Sequence, residues 1–259
     1  MFLSDMAETK TKKILPSELK KEAVSWLKAR GNKKTAASSQ RFFKEKAYCY
    51  GISAPDLEEL SKKVFERIKL SWSIKEAVNF SELLLSEKEL ESRGLAILVL
   101  SRFKQQFYPG LLTRFKSWLR KGYMDNWALV DVFSSAVIYR LLIQHPELIE
   151  QLSSWVRNKD LRVKRAALVS MIKFAKRKEF HLFIFEMVST VLETSPIDDF
   201  VAKAMGWLLR EAGKVDREAL EAFLREKGHR LPRVALRYSI ERFELQKRKY
   251  FLEITKQLK

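Results

Sequence analysis

The sequence predicts an all-α protein, built as a solenoid of stacked helix pairs. Glycine and proline are scarce, at 8 Gly and 6 Pro in 259 residues, which disfavours an all-β fold with many tight turns. Apolar residues recur with a helical period in one segment after another, and no run shows the alternation typical of a strand. A similar residue pattern also returns at nearly constant intervals, which is typical of helical-repeat proteins.

Start and stop signals divide the chain into about thirteen or fourteen helices. Pro16 predicts the start of the first helix and Gly31 its end, and Ser53 precedes the start of another. Ser73 with Glu76 three residues later fits a capping box. Two further breaks are predicted where a polar residue precedes proline, at residues 145–146 and 195–196.

Four segments share a cation that is followed in most cases by small and apolar residues: Arg93–Leu98, Arg165–Ser170, Lys203–Leu208 and Arg237–Arg242. They are 72, 38 and 34 residues apart, and 72 is twice 36. The missing unit falls near residue 129, where Asn126–Asp131 is predicted to begin a helix. Because the register repeats, one concave groove should be lined by five predicted helix starts: Arg93, Trp127, Arg165, Lys203 and Arg237.

The charge of the chain indicates what kind of partner it binds. There are 50 Lys and Arg against 32 acidic residues, a formal net charge of +18. Such an excess repels itself unless a polyanion offsets it, so nucleic acid is the first expectation and an anionic membrane the second. A role in solubility alone is the remaining alternative, although a modest charge would serve that purpose. We therefore expect the concave face to be basic.

Metal and disulfide chemistry are not expected. Cys49 is the only cysteine, and the three histidines are far apart in the sequence, so neither a disulfide nor a zinc site is predicted. No Gly-rich phosphate loop, GxSxG elbow or HExxH helix occurs. The expectation is a protein without metal or cofactor.

The N-terminal segment and the apolar runs indicate the cellular compartment of the protein. Met1–Leu15 carries charged residues without a continuous apolar core, so it is not predicted to be a secretory signal. The longest apolar run, Leu95–Leu100, is too short to span a bilayer. We expect a cytoplasmic monomer without membrane contact, with a flexible segment at 1–15 and a single domain at 16–259.

Several residues in the predicted groove could carry chemistry. Trp127 and Asp131 are four residues apart and so share one helical face. Arg165 follows one repeat later, and Trp207 with Arg210 follows one repeat after that. Asp and the indole faces favour positive charge, and Arg binds phosphate, so the set would suit a cationic transition state.

Each of these residues also has a structural interpretation. Trp207 could be a core residue, Asp131 a solvated first-turn residue favoured by the helix dipole, and Arg165 the partner of an acid on a neighbouring helix. The basic segment 247–249, followed by Tyr250 and Phe251, could likewise cap the last repeat or contact a DNA backbone. The sequence leaves these alternatives open.

A series of short stretches, in this order and spacing, also resembles one known family. They are Phe42-Phe43-Lys44, Gly51–Pro55 after Tyr50, Asn126–Asp131, His145–Ile149, Lys164–Ala167, Lys203–Glu211, and Arg233 with Leu236–Tyr238. The chain resembles the DNA alkylation repair proteins of the HEAT-like-repeat type, the AlkD-like DNA glycosylases. The resemblance covers residues from about 41 to 243.

The resemblance implies hydrolysis of the N-glycosidic bond of cationic N3- or N7-alkylated purines in double-stranded DNA, as in base excision repair. The lesion would be recognised through the DNA backbone and not in a deep base pocket. Trp127 and Trp207 would face the deoxyribose, Asp131 would stabilise the developing sugar cation and could orient the attacking water, and Arg165 would bind a phosphate. The other DNA-binding residues expected are Lys164, Lys203, Arg210, Arg233 and Arg237.

One departure from the family pattern keeps a second hypothesis open. Where the family often has Trp-Trp-Asp, this chain has Asn126, Trp127 and Ala128. The alternative function is therefore a non-catalytic binder of distorted or branched DNA. A protein-binding helical scaffold is the third hypothesis, which the net charge supports least. DNA binding would place the protein at the nucleoid.

Overall fold

Helices make up all the regular structure that the computed structural model describes, which covers residues 13–43, 45–194 and 197–257. The first α-helices are α1 (Pro16–Arg30), α2 (Lys33–Gln40), α3 (Ala54–Ile68), α4 (Ile74–Leu85), α5 (Leu90–Arg102), α6 (Leu111–Arg120), α7 (Trp127–Phe133) and α8 (Tyr139–Gln144). The others are α9 (Leu152–Val156), α10 (Leu161–Ser170), α11 (His181–Leu192), α12 (Asp199–Gly213), α13 (Arg217–Lys227), α14 (Arg233–Ser239) and α15 (Leu245–Gln257). The prediction of an all-α helical-repeat fold is confirmed.

Helices α7 and α8 belong to one continuous helix, because the residues between them, Ser134–Ile138, form a π-helical turn. The fifteen α-helical segments described are thus fourteen helices, which agrees with the number predicted from the start and stop signals. By length and composition alone, this helix (Trp127–Gln144, mean hydropathy 1.3) could cross a membrane. Core helices of folded proteins pass the same test, and 44% of this one is buried inside the protein.

The described chain divides into two compact units, the first formed by residues up to 111 together with 123–132. In this first unit α1 packs on α4, and both α3 and α4 pack on α5. The unit has an apolar core of fully buried side chains, among them Leu27, Ile68, Phe80, Leu84 and Leu95.

Local polar signals set the helix ends of the first unit where the sequence predicts them. Ser73 and Glu76 form a capping box on α4, with the Ser73 amide donating to Glu76 Oε2 at 2.8 Å. Hydrogen bonds from the Lys13 ammonium and from Ser73 lower the pKa of Glu76 to about 2. The Ser53 hydroxyl accepts from the Asp56 amide at 3.3 Å and caps α3.

The second unit contains residues 112–122 and those from 133 onwards. Helix α10 packs on α9 and α12, and α12 packs closely along α14. Gly206 permits this close approach, because a Cβ there would lie 2.5 Å from the Ala235 carbonyl oxygen and 2.5 Å from the Tyr238 Cβ. An aromatic cluster of Phe115, Trp118 and Phe133 fills part of the core, with ring centroids 5.2–6.1 Å apart.

The predicted breaks at proline have different outcomes. Helix α8 ends at Gln144, and a 3-10 helix begins at Pro146, so the break at residues 145–146 is confirmed. Residues 195–196 lie outside the described part of the chain. On either side of them α11 ends at Leu192 and α12 begins at Asp199, after a cap by Asp198.

Candidate functional site

The start of α7 is fixed by a chain of polar contacts. The Asn126 amide oxygen accepts from the Leu129 backbone N–H at 3.1 Å and so caps the helix. The Asn126 side-chain nitrogen donates to Asp125 at 2.9 Å, and Asp125 pairs with the Arg93 guanidinium at 2.8 Å. Arg93 is only 6% exposed and also donates to the Lys88 carbonyl at 2.8 Å. The network therefore ties the first turn of α7 to α5.

Trp127 is the first residue of α7 and remains 43% exposed. Its indole N–H donates to the Phe42 carbonyl at 3.3 Å, and its ring lies 5.9 Å from that of Phe43. One edge of the indole is therefore held by the segment before α3, while a large part of the side chain is accessible to solvent.

Asp131 lies one helical turn after Trp127 and is half-buried. The residues between them include Leu129 and Val130, which are buried in the core. Because positions four apart share a helical face, the carboxylate and the indole lie on the same side of α7.

The repeated cations occupy a different helix position from the one predicted. The cation is the fourth residue of α5 and the fifth residue of α10, α12 and α14: Arg93, Arg165, Lys203 and Arg237. The prediction that they mark helix starts is therefore wrong by about one turn, which is within the usual uncertainty of helix boundaries predicted from sequence. In α7 the fifth residue is Asp131, and Trp127 is the first. A carboxylate thus occupies in α7 the position that carries a cation in α10, α12 and α14.

Arg165 in the second unit is 5% exposed. Its guanidinium donates to the Phe200 carbonyl and lies 4.7 Å from the centroid of the Phe200 ring. Both contacts link α10 to the first turn of α12, so a predicted phosphate-binding residue also has a structural role.

Lys203, Trp207 and Arg210 follow one another along a single face of α12, and each is half-buried. Gly206 and Leu208, on either side of Trp207, are buried. Trp207 therefore lies at the margin of the core. Arg210 forms ion pairs with Glu241 and with Glu211.

The remaining predicted cations differ in how much of their hydrogen-bonding capacity the fold uses. The buried Lys164 ammonium donates to Thr194 Oγ1 at 2.7 Å, and burial lowers its pKa. The Arg233 guanidinium donates to Thr255 Oγ1 at 3.0 Å and to a carbonyl of α15. Within the described residues, Lys203 and the exposed Arg237 form neither a hydrogen bond through their side chains nor an ion pair.

One buried hydrogen-bond network of the first unit was not predicted from the sequence. The backbone N–H groups of Tyr50, Gly51 and Ile52 donate to the buried Glu91 carboxylate at 2.8–3.1 Å. Gly51 has φ of 86°, and a Cβ there would lie 2.1 Å from the Asn32 carbonyl oxygen. The contact anchors the loop before α3 onto α5. The same loop carries Phe42 and Phe43, which contact Trp127. The glycine followed by a helix cap was the one sequence signal that could have indicated it.

Comparison with known proteins identifies a related family and a related structure. A sequence profile of the family described as DNA alkylation repair enzyme matches residues 24–243. A solved structure described as a predicted DNA alkylation repair enzyme from Enterococcus faecalis superimposes with a TM-score of 0.72 at 20% sequence identity. The match covers 83% of this chain and 97% of that chain. At this identity the similarity establishes a shared fold. No curated protein matches the chain significantly.

Proposed function

The chain belongs to the DNA alkylation repair enzyme family, and from that premise we propose that it is an alkylpurine DNA glycosylase. Its substrate would be duplex DNA carrying cationic N3- or N7-alkylated purines. The reaction would break the bond between C1′ of the deoxyribose and the base nitrogen, and water would supply the new oxygen at C1′ and release one proton to solvent.

The observation that carries the proposal is the pairing of Trp127 and Asp131 on one face of α7 within a chain of this family. An alkylated purine is a positively charged leaving group, so it takes the bonding electron pair and leaves as a neutral base. Positive charge then develops on the sugar, where the Asp131 carboxylate would stabilise it and orient the attacking water. The accessible Trp127 indole would attract the same charge through its ring face.

The second unit would contribute contacts to the DNA backbone. Lys203 and Arg237 use none of their side-chain donors within the described residues, so their charge is available for phosphate groups. We propose Arg165 as a further phosphate contact, with its orientation fixed by Phe200, and Trp207 as an aromatic surface for a deoxyribose.

The assay that tests the proposal is base release from methylated duplex DNA. We expect the wild type to release 7-methylguanine or 3-methyladenine. Asp131→Asn should slow release by about 100-fold or more, because loss of one catalytic charge typically has such an effect. Asp199→Asn is the matched control, since Asp199 is exposed and lies in the first turn of α12. Absence of release by the wild type would overturn the proposal.

A second function, non-catalytic binding of distorted DNA, is favoured by the residues that flank Trp127. Asn126 serves as a helix cap, and Ala128 has no acidic group where the family often has one. This function predicts salt-sensitive binding of duplex DNA without base release. The same assay therefore separates the two functions.

A further inference from the structure

Three cations contact two aromatic rings in the second unit and a fourth lies close to them, at positions that no motif of the candidate site includes. We call this surface the Lys173 patch, and it consists of Arg140, Lys173, Lys176 and Arg177 with the rings of Tyr139 and Phe180. It is formed by the start of α8 and by the connection between α10 and α11. All four cations are exposed.

The aromatic rings hold several of these side chains in place. The Lys173 ammonium lies 4.7 Å from the centroid of the Tyr139 ring, and Arg140 lies 5.8 Å from the same centroid. Arg177 lies 5.0 Å from the Phe180 ring. Phe174 lies between the two rings, with centroid distances of 5.1 Å and 4.8 Å, so the row of rings is continuous.

The π-helical turn before Tyr139 contributes directly to the patch. The Lys173 ammonium donates to the Ser135 carbonyl within that turn at 3.2 Å. π-helical turns are rare and occur frequently at functional sites. The hydrogen bond fixes the ammonium while its remaining N–H groups stay available to a ligand.

The patch carries positive charge that the surrounding residues do not balance. Within the described residues, no carboxylate pairs with Arg140, Lys173 or Lys176. Arg177 pairs with Glu179, which is the one acid close to it in sequence. Burial, and then repulsion from Arg140 and Lys176, lowers the pKa of Lys173. A nearby polyanion would relieve this repulsion.

We propose that the Lys173 patch is a further DNA-binding surface, which contacts backbone phosphates and includes none of the residues proposed for catalysis. The inference rests on the proposed function in so far as DNA is the partner. Lys173 comes three residues after the end of α10, whereas Arg165 lies in the first half of that helix, at least about 8 Å away along the axis. Lys173 thus lies beyond the C-terminal end of α10, whereas Arg165 lies near the middle of the helix.

The chemistry of the patch favours a phosphate backbone over an acidic protein. Duplex DNA carries one negative charge per about 1.7 Å of its axis and so can engage several cations without a shaped cavity. A protein partner would need apolar anchors at the centre of the contact. Here the rings of Tyr139 and Phe180 each contact a cation of the patch, at 4.7 Å and 5.0 Å from the ring centroid.

The test is the salt dependence of binding to undamaged duplex DNA, measured by fluorescence anisotropy across a series of NaCl concentrations. For the triple variant R140A/K173A/K176A, we expect the slope of log affinity against log salt to fall by about 2 to 3, because each phosphate that a cation neutralises adds about 0.9 to the slope. The charge-preserving variant R140K/K173R/K176R should keep the wild-type slope.

The matched control is K21A/K62A/K75A, which removes three exposed lysines from the first unit that form no ion pair in the described residues. It changes the net charge equally and should leave the slope nearly unchanged. Equal slopes for the patch variant and the wild type, or equal reductions in patch and control variants, would overturn the proposal. Reduced binding to phosphatidylserine vesicles with unchanged DNA binding would overturn it in favour of a membrane surface.

Failure of this inference is distinguishable from failure of the proposed function. Binding of undamaged DNA needs no base release, so a wild type that binds but does not cleave would refute only the glycosylase. A wild type that releases bases while the patch variant keeps its salt slope would refute only the patch.

Discussion

The two tryptophans that we propose to face the DNA are held in place by different means. Trp127 begins α7, and its orientation depends on one hydrogen bond to the Phe42 carbonyl and on a helix cap that is linked to Arg93. Trp207 lies in the middle of α12, where Gly206 permits close packing against α14. Polar contacts thus fix the first tryptophan, and backbone packing fixes the second. The first should therefore be sensitive to single hydrogen bonds and the second to added volume.

The largest effect is expected at Gly206. A Cβ at this position would meet the Ala235 carbonyl oxygen and the Tyr238 Cβ at 2.5 Å, and neither can move without displacing α14. We expect Gly206→Ala to lower the free energy of unfolding by about 2 kcal/mol, within the range for overpacked cores. Urea denaturation measures this change in the free energy of unfolding.

Gly94→Ala is the matched control, because Gly94 is also inside a helix and an added Cβ would meet only a flexible methyl group of Leu57 at 3.0 Å. Both substitutions gain helix propensity of up to about 1 kcal/mol, so their difference reports the packing of α12 on α14. Equal stabilities of the two variants would contradict the role given to Gly206.

A smaller effect is expected at the cap of α7. Asn126→Ala removes the acceptor for the Leu129 amide and the donor to Asp125, and we expect it to lower the free energy of unfolding by about 1 kcal/mol. The measurement is again urea denaturation. Asn126→Ser should restore most of this stability, since a serine hydroxyl also caps helices. If alanine and serine variants were equally stable, the cap would not be the reason for Asn126.

The parts of the structure that the sequence predicted correctly are those encoded by neighbouring residues. The Ser73–Glu76 box, the start at Pro16 and the break before Pro146 each depend on signals within four residues, and all three are present. The pairing of Trp127 with Asp131 on one helical face follows from a spacing of four residues, which does not depend on tertiary structure.

The parts that were not predicted depend on contacts between distant residues. Phe42 is 85 residues from the indole it binds, and Asp125 is 32 residues from Arg93 in the sequence. From the sequence, both Lys164 and Arg165 were expected to bind DNA. Tertiary packing placed one against Thr194 and the other against Phe200. The Lys173 patch was not predicted, because it depends on the approach of Lys173 to the ring of Tyr139, which is 34 residues away in the sequence.

The smallest effect is expected from the single hydrogen bond of the Trp127 indole. Trp127→Phe keeps an aromatic ring but removes the donor to the Phe42 carbonyl. Because Phe42 is 70% exposed, water should replace the indole, and the free energy of unfolding should fall by only about 0.5–1 kcal/mol. Such a change would appear as a few-fold faster hydrogen exchange in a peptide covering residues 39–50.

Trp207→Phe is the matched control, because its indole N–H donates no hydrogen bond within the described residues. Faster exchange of this peptide in both variants would show general loosening. Unchanged exchange in Trp127→Phe would mean that the Phe43 ring contact, and not the hydrogen bond, holds the indole.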